Sequence, residues 1–477
     1  MRDENNNVTD NLYQPPPESL WQGIKDAIRG TEADYTEIKL NKAILLLAVP
    51  MILELVMEST FALVDIYFVG KLGASAVATV GLTETYLFLL YSLAMGLSMA
   101  VTAIIARRVG EKHTETAGIS AVQAVILGLL CSIPFALAGI FYSKELLALM
   151  GADAWVLEEG YHYAQWMLGG NVVIVLLFLI NAIFRGAGDA AIAMRILLIS
   201  NAINIVLDPI LIFGWGPFPE MGIKGAAIAT NIGRGTGVIV QLWLLFKGGK
   251  HIRVTLSQIY WDAKIMLNIL RTSLGGVGQM LIGMTSWIFL MRILSDIGSE
   301  AVAGSTIALR IMLFTLMPAW GLSNAAATLV GQNLGAGNPD RAESAVWKIG
   351  FYNMIFLIGV SVIYFIFNSR LMEFFTQDEG VILVGATWLR ILSYSYFVYG
   401  WWMVTTQAIN GSGDTRTPTV INFIFFWLIE IPLCYLLAIA FDWGYSGVFW
   451  GCFFAETSVG LVSLWIFKRG RWKTVQV

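Results

Sequence analysis

Three acidic residues stand in one long apolar stretch near the start of the chain. Residues 43–70 read AILLLAVPMILELVMESTFALVDIYFVG and carry Glu54, Glu58 and Asp65. In a helix these acids lie on one face, because their separations are close to whole turns. Pro50 lies on the same stripe and interrupts the helical hydrogen bonds. A carboxylate facing lipid costs several kcal/mol, so this face is expected to contact protein or a wet cavity.

Two interpretations of these acids remain open at this point. An acid held in an apolar span is a candidate for proton or cation transfer. Alternatively, the glutamates lie in the interfacial layers of a membrane or pair with arginines from other helices. For Asp65 the functional interpretation is favoured. For Glu54 and Glu58 the sequence does not favour one interpretation over the other.

The composition indicates an integral membrane protein. The 477 residues are 57% hydrophobic and 13% charged, whereas soluble domains carry about 25% charged residues. The formal net charge of −3 is not accompanied by a basic, aromatic patch, so nucleic acid is not expected as a partner. The cysteines lie in apolar runs and the histidines show no ligand spacing, which predicts no disulfide and no histidine or cysteine metal site. We expect no cofactor other than a coupling ion.

Apolar runs of membrane-spanning length recur along the chain. Since such runs are too long for barrel strands, they predict an all-α membrane fold with twelve transmembrane helices. The polar residues 1–39 contain three consecutive prolines, do not resemble a signal peptide, and are interpreted as a cytoplasmic extension. The runs lie at residues 43–70, 76–106, 116–142, 160–185, 191–213, 222–246, 262–294, 300–330, 345–368, 381–409, 418–440 and 444–467.

The chain also repeats itself at a constant offset. GASAVATV at 73–80 recurs as GSEAVAGS at 298–305, and the same offset sets ARRVG on GQNLG and AIFRGAGD near QAINGSGD. A parallel repeat predicts two pseudo-symmetric six-helix lobes around a central cavity. The predicted divisions are the lobes 40–247 and 262–468, a linker at 248–261 and a tail at 469–477.

Lysine and arginine are concentrated at the two chain ends and in the even-numbered connections, for example Arg107, Arg108 and Lys112. Positive residues mark the cytoplasmic side of a membrane protein. We therefore expect a multi-pass protein of the cytoplasmic (inner) membrane with both termini in the cytoplasm.

Four oxygen-bearing residues of the first lobe are predicted to share one layer. At 1.5 Å per residue, Asp65, Asn204, Asp208 and Thr230 lie at similar depths in the outer half of the membrane. Carboxylate, amide and hydroxyl oxygens bind hard cations such as Na⁺. Two desolvated carboxylates also take up protons readily, so sodium and proton sites look alike here. The structural alternative for Asn204 and Thr230 is ordinary hydrogen bonding between helices.

The repeat makes this layer asymmetric. The offset that relates the two halves sets Asp65 on Leu290 and Asp208 on Leu433. Structural necessity would tend to act on both copies, so acids that occur in one copy indicate a site.

Several motifs resemble the MATE family of multidrug and toxin extrusion transporters, and in particular its DinF-like branch. They are PMILELVMESTFALVDIYFVGKLG, the paired RGAGD and NGSGD loops, NIVLDPILIFG with GIKGAAIAT, and VGQNLGAGNP. The resemblance covers residues 40–468. It implies a cation site at Asp65, Asn204, Asp208 and Thr230, and bending of the first membrane helix at Pro50.

The chain departs from this family pattern in the first lobe. Phe61 stands where some relatives carry a tyrosine, and Glu54 and Glu58 are extra acids. These three residues and Asn181 are candidates for facing the cavity. The seventh and tenth runs lack the acids that other branches carry there, so coupling through the second lobe is not expected.

These observations predict an antiporter that exports amphipathic, often cationic, organic compounds in exchange for H⁺ or Na⁺. We expect it to act as a monomer in the lipid bilayer. One alternative is a flippase for lipid-linked sugars, with Arg234, Arg310 and Arg390 as candidate ligands for a pyrophosphate. An intramembrane aspartyl protease is rejected, because the two G-x-G-D aspartates, Asp189 and Asp414, lie in predicted turns.

Overall fold

The computed structural model describes residues 19–31, 33–249 and 251–476. Residues 1–18 of the predicted polar extension 1–39 therefore lie outside the described residues. The α-helices are α1 (Leu20–Arg29), α2 (Leu40–Gly70), α3 (Ala74–Gly110), α4 (Thr114–Leu149), α5 (Tyr161–Gly169), α6 (Val172–Ala187), α7 (Ala190–Phe213), α8 (Gly222–Lys247), α9 (Ala263–Ile297), α10 (Ser299–Gly335), α11 (Pro339–Glu373), α12 (Glu379–Ser393), α13 (Tyr396–Gly411), α14 (Arg416–Asn422), α15 (Ile431–Tyr435) and α16 (Gly444–Lys468).

The described chain confirms the prediction of an all-α membrane protein. Ten helical segments are long and apolar enough to cross a membrane, and α12 with α13 forms a further, bent span. The remaining run is α8, whose 26 residues also suffice to cross a bilayer. Helices are the expected element, since a bilayer offers no hydrogen-bond partners to an open backbone.

The observed helices differ from the predicted runs in two respects. First, they extend beyond the apolar runs into polar turns, as when run 345–368 lies within α11. Second, three runs are not single straight α-helices. In run 418–440, π-helical turns at Phe423–Glu430 separate α14 from α15. Run 381–409 is bent by 65° between α12 and α13. Run 160–185 is divided between α5 and α6 at Asn171, whose amide donates to the carbonyl oxygens of Leu168 (2.5 Å) and Ser132 (3.2 Å).

Three clusters of buried apolar residues hold the helices together. One is built mainly from α3 to α8, and a second from helices α9 to α16. The third joins α2 to α10, α11 and α13 and includes the buried ring of Trp472 near the C-terminus. This third cluster lies at the end of the molecule where α2 begins and α16 ends, which we call the terminal end.

Hydrogen bonds between the two halves of the chain also lie at the terminal end. Thr328 on α10 donates to the carbonyl oxygen of Arg185 (3.1 Å), and Gln332 donates to that of Gly186 (3.0 Å). Gly110 at the end of α3 lies directly against the backbone of Gln332, with no room for a Cβ atom. The two halves are therefore tightly joined at the terminal end.

The segment before α2, residues 33–39, contacts both halves and is called the N-terminal latch. The Tyr35 hydroxyl donates to the carbonyl oxygen of Gly188 in the first half. The Arg341 guanidinium from α11 donates to the carbonyl oxygens of Tyr35 (3.2 Å) and Ile38. The latch thus bridges the halves across the terminal end.

Candidate cation site and central cavity

Asn204, Asp208 and Thr230 form one buried polar cluster between α7 and α8. Asn204 and Asp208 are neighbours because they are four residues apart on a helix. With its amide oriented toward complementary partners, Asn204 donates to Asp208 Oδ2 (3.0 Å) and accepts from the N–H (3.0 Å) and hydroxyl (3.2 Å) of Thr230. Asp208 is 0% exposed. The structure therefore brings together three of the four residues that the sequence placed in one layer.

Asp65 on α2 supplies a second carboxylate near this cluster. It interacts electrostatically with Asp208 and with Arg234. Its Oδ1 atom is buried and has no hydrogen-bond partner among the described residues. A buried acceptor without a partner costs free energy. Asp65 Oδ1 is therefore an acceptor that none of the described residues uses.

The chemistry of this set suits a small cation. It offers two carboxylates, an amide and a hydroxyl in a buried place, the oxygen ligands that hard cations prefer. The buried Asp208 carboxylate and the half-buried Asp65 carboxylate, which interact, are equally suited to hold a proton.

Glu54 forms a buried ion pair and does not face an open cavity. Its Oε1 accepts from Arg185 Nη1 (3.0 Å) and from Asn181 Nδ2 (3.2 Å). The Asn181 Oδ1 atom in turn accepts from Gln241 Nε2 (2.5 Å). The sequence left Glu54 open between a cavity role and arginine pairing, and the structure shows the pairing.

Glu58 is also paired with an arginine, Arg234 of α8. The distance from Arg234 Nη2 to Glu58 Oε1 is 2.7 Å. The guanidinium carbon lies 5.5 Å from the centre of the Phe61 ring, a cation–π contact. Sequence reasoning left arginine pairing open for Glu58 but considered Arg234 solely as a flippase ligand. It therefore did not identify this partner, although the position of Arg234 one turn after Thr230 was a signal.

Pro50 lies inside α2, and the helix continues through it. The next turn of α2 is held tightly, because Gly321 of α10 packs against the backbone of Met51 and Ile52 and has no space for a Cβ atom. The candidate hinge is therefore adjacent to the contact between the two halves.

A central cavity of about 140 Å³ lies between the halves, on the side of α2 that faces α10. Four methionines and two aromatic residues contribute to its wall, and Arg185 is the charged residue among those that line it. The lining residues are Leu55, Met95, Ser98, Met99, Thr102, Phe178, Arg185, Met280, Met317, Trp320, Asn324, Ala327, Thr328, Gln407, Asn410 and Gly411. Flexible methionines suit a cavity that accepts varied apolar shapes.

The second half contains a buried acid, Glu430, and a half-buried acid, Glu456, that sequence reasoning missed. Glu430 is 5% exposed, accepts a long hydrogen bond from Ser286 (3.4 Å), and interacts electrostatically with Glu456 of α16. The prediction that the second half lacks such acids holds at the two positions that the repeat relates to Asp65 and Asp208. It is wrong for the second half as a whole. The signal was available, since both acids stand inside apolar runs.

The two G-x-G-D aspartates lie in turns. Asp414 accepts from the backbone N–H of Thr417 (3.0 Å) and from its hydroxyl (2.5 Å), which supports the start of α14. Asp189 precedes the first residue of α7. The position of Asp414 agrees with a turn and helix-cap role, and that of Asp189 agrees with a turn.

The family model MatE matches residues 50–210 and 273–436. The chain therefore belongs to the MATE family, and the predicted resemblance is confirmed. Members of this family are membrane transporters, so the protein is a multi-pass transporter and not an enzyme.

Individual relatives match over almost their full lengths. The probable multidrug resistance protein NorM of Thermotoga maritima is 26% identical over 436 residues, which cover 91% of this chain and 94% of that protein. A crystal structure of MATE in the straight conformation has a TM-score of 0.84 at 26% identity and covers 94% of this chain and 98% of its own. The structure in the bent conformation gives 0.84 at 25% identity, with 94% and 97% covered.

Proposed function

We propose that this protein is an antiporter that exports amphipathic, often cationic, organic compounds across the cytoplasmic membrane in exchange for H⁺ or Na⁺. One observation carries the proposal. The buried Asp208 is held by Asn204 beside Thr230, and it interacts with Asp65, whose Oδ1 has no partner. This arrangement has the oxygen ligands for one small cation, and among the described residues no positive group is bound directly to Asp208.

The proposed cycle couples this site to the central cavity. H⁺ or Na⁺ binds at Asp65 and Asp208 while the cavity is open away from the terminal end, α2 bends near Pro50, and the substrate leaves. The terminal end then opens, the ion is discharged and new substrate binds. Neutralising buried carboxylates stabilises one conformation relative to the other, which is what an ion must do to drive the change.

Two observations support a conformational step of this kind. The halves are joined by hydrogen bonds at the terminal end, so the present form is closed there. Crystal structures of a MATE relative in straight and bent conformations indicate that the fold adopts more than one form. With the terminal end assigned to the cytoplasm, the structure corresponds to an outward-facing state.

The substrate class is proposed from the cavity and from the relatives. The NorM relative is named as a probable multidrug resistance protein. The cavity is lined by methionine, tryptophan and amide side chains, which suit flat organic molecules with a polar group. We propose that the protein handles such compounds as a monomer.

The flippase alternative is not favoured. A pyrophosphate needs several free cationic groups, but Arg234 is already bound to Glu58. The NorM relative is named for probable multidrug resistance and not for transfer of lipid-linked sugars.

The experiment is accumulation of ethidium in inverted membrane vesicles, driven by a Na⁺ gradient alone or by a pH gradient alone. We expect one gradient to drive uptake and Asp65→Asn to abolish it, because the amide cannot release a charge. Asp296→Asn, an exposed residue paired with Arg292, serves as the control and should behave as the wild type. Undiminished uptake by Asp65→Asn would exclude this site from coupling.

A further inference from the structure

Two acids of α2 stand on either side of one aromatic ring. Glu58 and Asp65 are seven residues apart, so they lie on the same face of the helix at a separation of roughly 10 Å along the axis. Phe61 lies between them on that face. One basic group placed over the Phe61 ring is therefore within reach of both acids.

Arg234 of α8 occupies that place. It is 6% exposed, its guanidinium lies over the Phe61 ring, and its Nη2 binds Glu58. Its Nε and Nη1 atoms are buried without hydrogen-bond partners among the described residues. Buried guanidinium N–H groups are normally all satisfied. Arg234 thus has unused donors in a place where leaving them unused is costly.

Asp65 lacks a hydrogen-bond donor, whereas Arg234 lacks hydrogen-bond acceptors. Its Oδ1 is buried without a partner, and it interacts electrostatically with Arg234. The two groups are not bonded in this structure, yet each lacks what the other offers. A modest movement of the guanidinium along the ring would join them and satisfy both.

We propose that Arg234 is an internal cation that competes with the coupling ion for Asp65, moving between Glu58 and Asp65 across the Phe61 ring. This inference rests on the proposed function, since it assigns a partner to the same site. When the ion is bound, Arg234 pairs with Glu58 alone. When the ion has left, Arg234 also bonds to Asp65, so the charge of Asp65 is never left unbalanced in the protein interior.

The exchange has a defined consequence for coupling. A competing internal cation weakens binding of the coupling ion at Asp65. Because the ion is bound less tightly, it can also be released. Glu58 sets the strength of this competition, because it holds Arg234 away from Asp65. Removing Arg234 and removing Glu58 should therefore change ion binding in opposite directions.

The test is thermal unfolding of the purified full-length protein, with Na⁺ replacing choline at constant ionic strength and pH 8. A second series lowers the pH from 8 to 6 in choline. With whichever cation stabilises the wild type, we expect a larger rise in melting temperature for Arg234→Gln and a smaller rise for Glu58→Gln. Arg234→Lys keeps the charge and should resemble the wild type. Arg390→Gln is the matched control, because Arg390 lies over the Phe365 ring outside this network.

Shifts of the same sign in Arg234→Gln and Glu58→Gln, equal rises in all variants, or no rise in any of them would overturn the inference. A merely structural role of the ion pair predicts equal loss in both variants. In ethidium uptake, the half-saturating concentration of the driving ion should fall roughly tenfold in Arg234→Gln. Ethidium uptake by the wild type tests the proposed function separately. If the wild type took up no ethidium, the opposite changes in melting temperature of Arg234→Gln and Glu58→Gln could still be measured.

Discussion

The hydroxyl group of Tyr35 donates a hydrogen bond of 3.0 Å to the carbonyl oxygen of Gly188 and so ties the N-terminal latch to the turn between α6 and α7. Gly188 ends α6 in the left-handed conformation (φ 95°), which exposes this carbonyl to the ring. Arg341 binds the latch from the other half of the molecule. Opening at the terminal end therefore requires contacts on one or both sides of the latch to break.

Replacing Tyr35 with Phe should favour opening at the terminal end. The change removes one hydrogen bond worth about 1 kcal/mol, which corresponds to a roughly fivefold change in the population of the open form. The measurement is the rate at which a cysteine at Asn324, in the cavity wall, reacts with a maleimide in a background without the native cysteines. Tyr86→Phe loses the same kind of bond, to Leu146 (2.8 Å), and should leave that rate unchanged. Equal rates in both variants would count against a latch.

The latch should weaken in acid. Partial burial acts to raise the pKa of Asp34, but hydrogen bonds from Thr36 and the charge of Lys112 outweigh burial and lower the pKa below its ordinary value of 3.8. A lowered folded-state pKa contributes stability above the unfolded value, and this stability is lost as the pH falls through the folded value. The difference in melting temperature between wild type and Asp34→Asn should be constant from about pH 5 to 8. It should begin to shrink near the ordinary value of 3.8 and vanish once the pH is below the lowered folded-state pKa. A difference that persists there would contradict this assignment.

Replacing Gly321 with Ala should destabilise the contact beside Pro50. A Cβ atom there would lie 2.7 Å from the Ile52 backbone, and overpacking costs about 1–3 kcal/mol. The melting temperature should fall, and ethidium transport should fall with it, because α2 is displaced near its proposed hinge. Gly359→Ala is the control, since a Cβ atom at Gly359 meets open space. Equal melting temperatures for the two variants would refute the packing argument.

Replacing Asn204 with Ala should weaken ion binding. The change leaves Asp208 without its donor and Thr230 without its acceptor, which costs about 1–3 kcal/mol. The half-saturating concentration of the driving ion in vesicle uptake should rise roughly tenfold. Asn353→Ala removes a buried amide that binds Gly400 (3.1 Å) in the other half. This control should lower stability without changing the ion dependence, and a similar change in both would remove Asn204 from the site.

Replacing Arg185 with Gln should be more harmful than removing its ion pair completely. The single change leaves Glu54 charged and buried, which costs about 3 kcal/mol, whereas Glu54→Gln with Arg185→Gln leaves two amides able to bond. The double variant should recover much of the lost melting temperature. Additive losses would show that the two side chains do not act as a pair.

Much of the site followed from sequence reasoning because helical geometry is local. The spacing of Asn204 and Asp208 set them on one face of a helix, and the depth estimate brought Thr230 to the same level. The family resemblance identified these residues as a set. The repeat did not reveal Glu430 and Glu456, because it relates positions at a fixed offset along the chain. These two acids interact across separate helices, α16 and the span before it.

The sequence by itself determined the class of structure. A bilayer cannot hydrogen-bond to an open backbone, so apolar runs of this length must become helices, and acids within them must turn away from lipid. The tertiary structure alone decided which partner each acid found. Periodicity states which face of α2 carries Glu54, Glu58 and Asp65, but the neighbour of that face depends on how separate helices pack. That packing gave Arg185 to Glu54 and Arg234 to Glu58, and left Asp65 with an oxygen that has no partner.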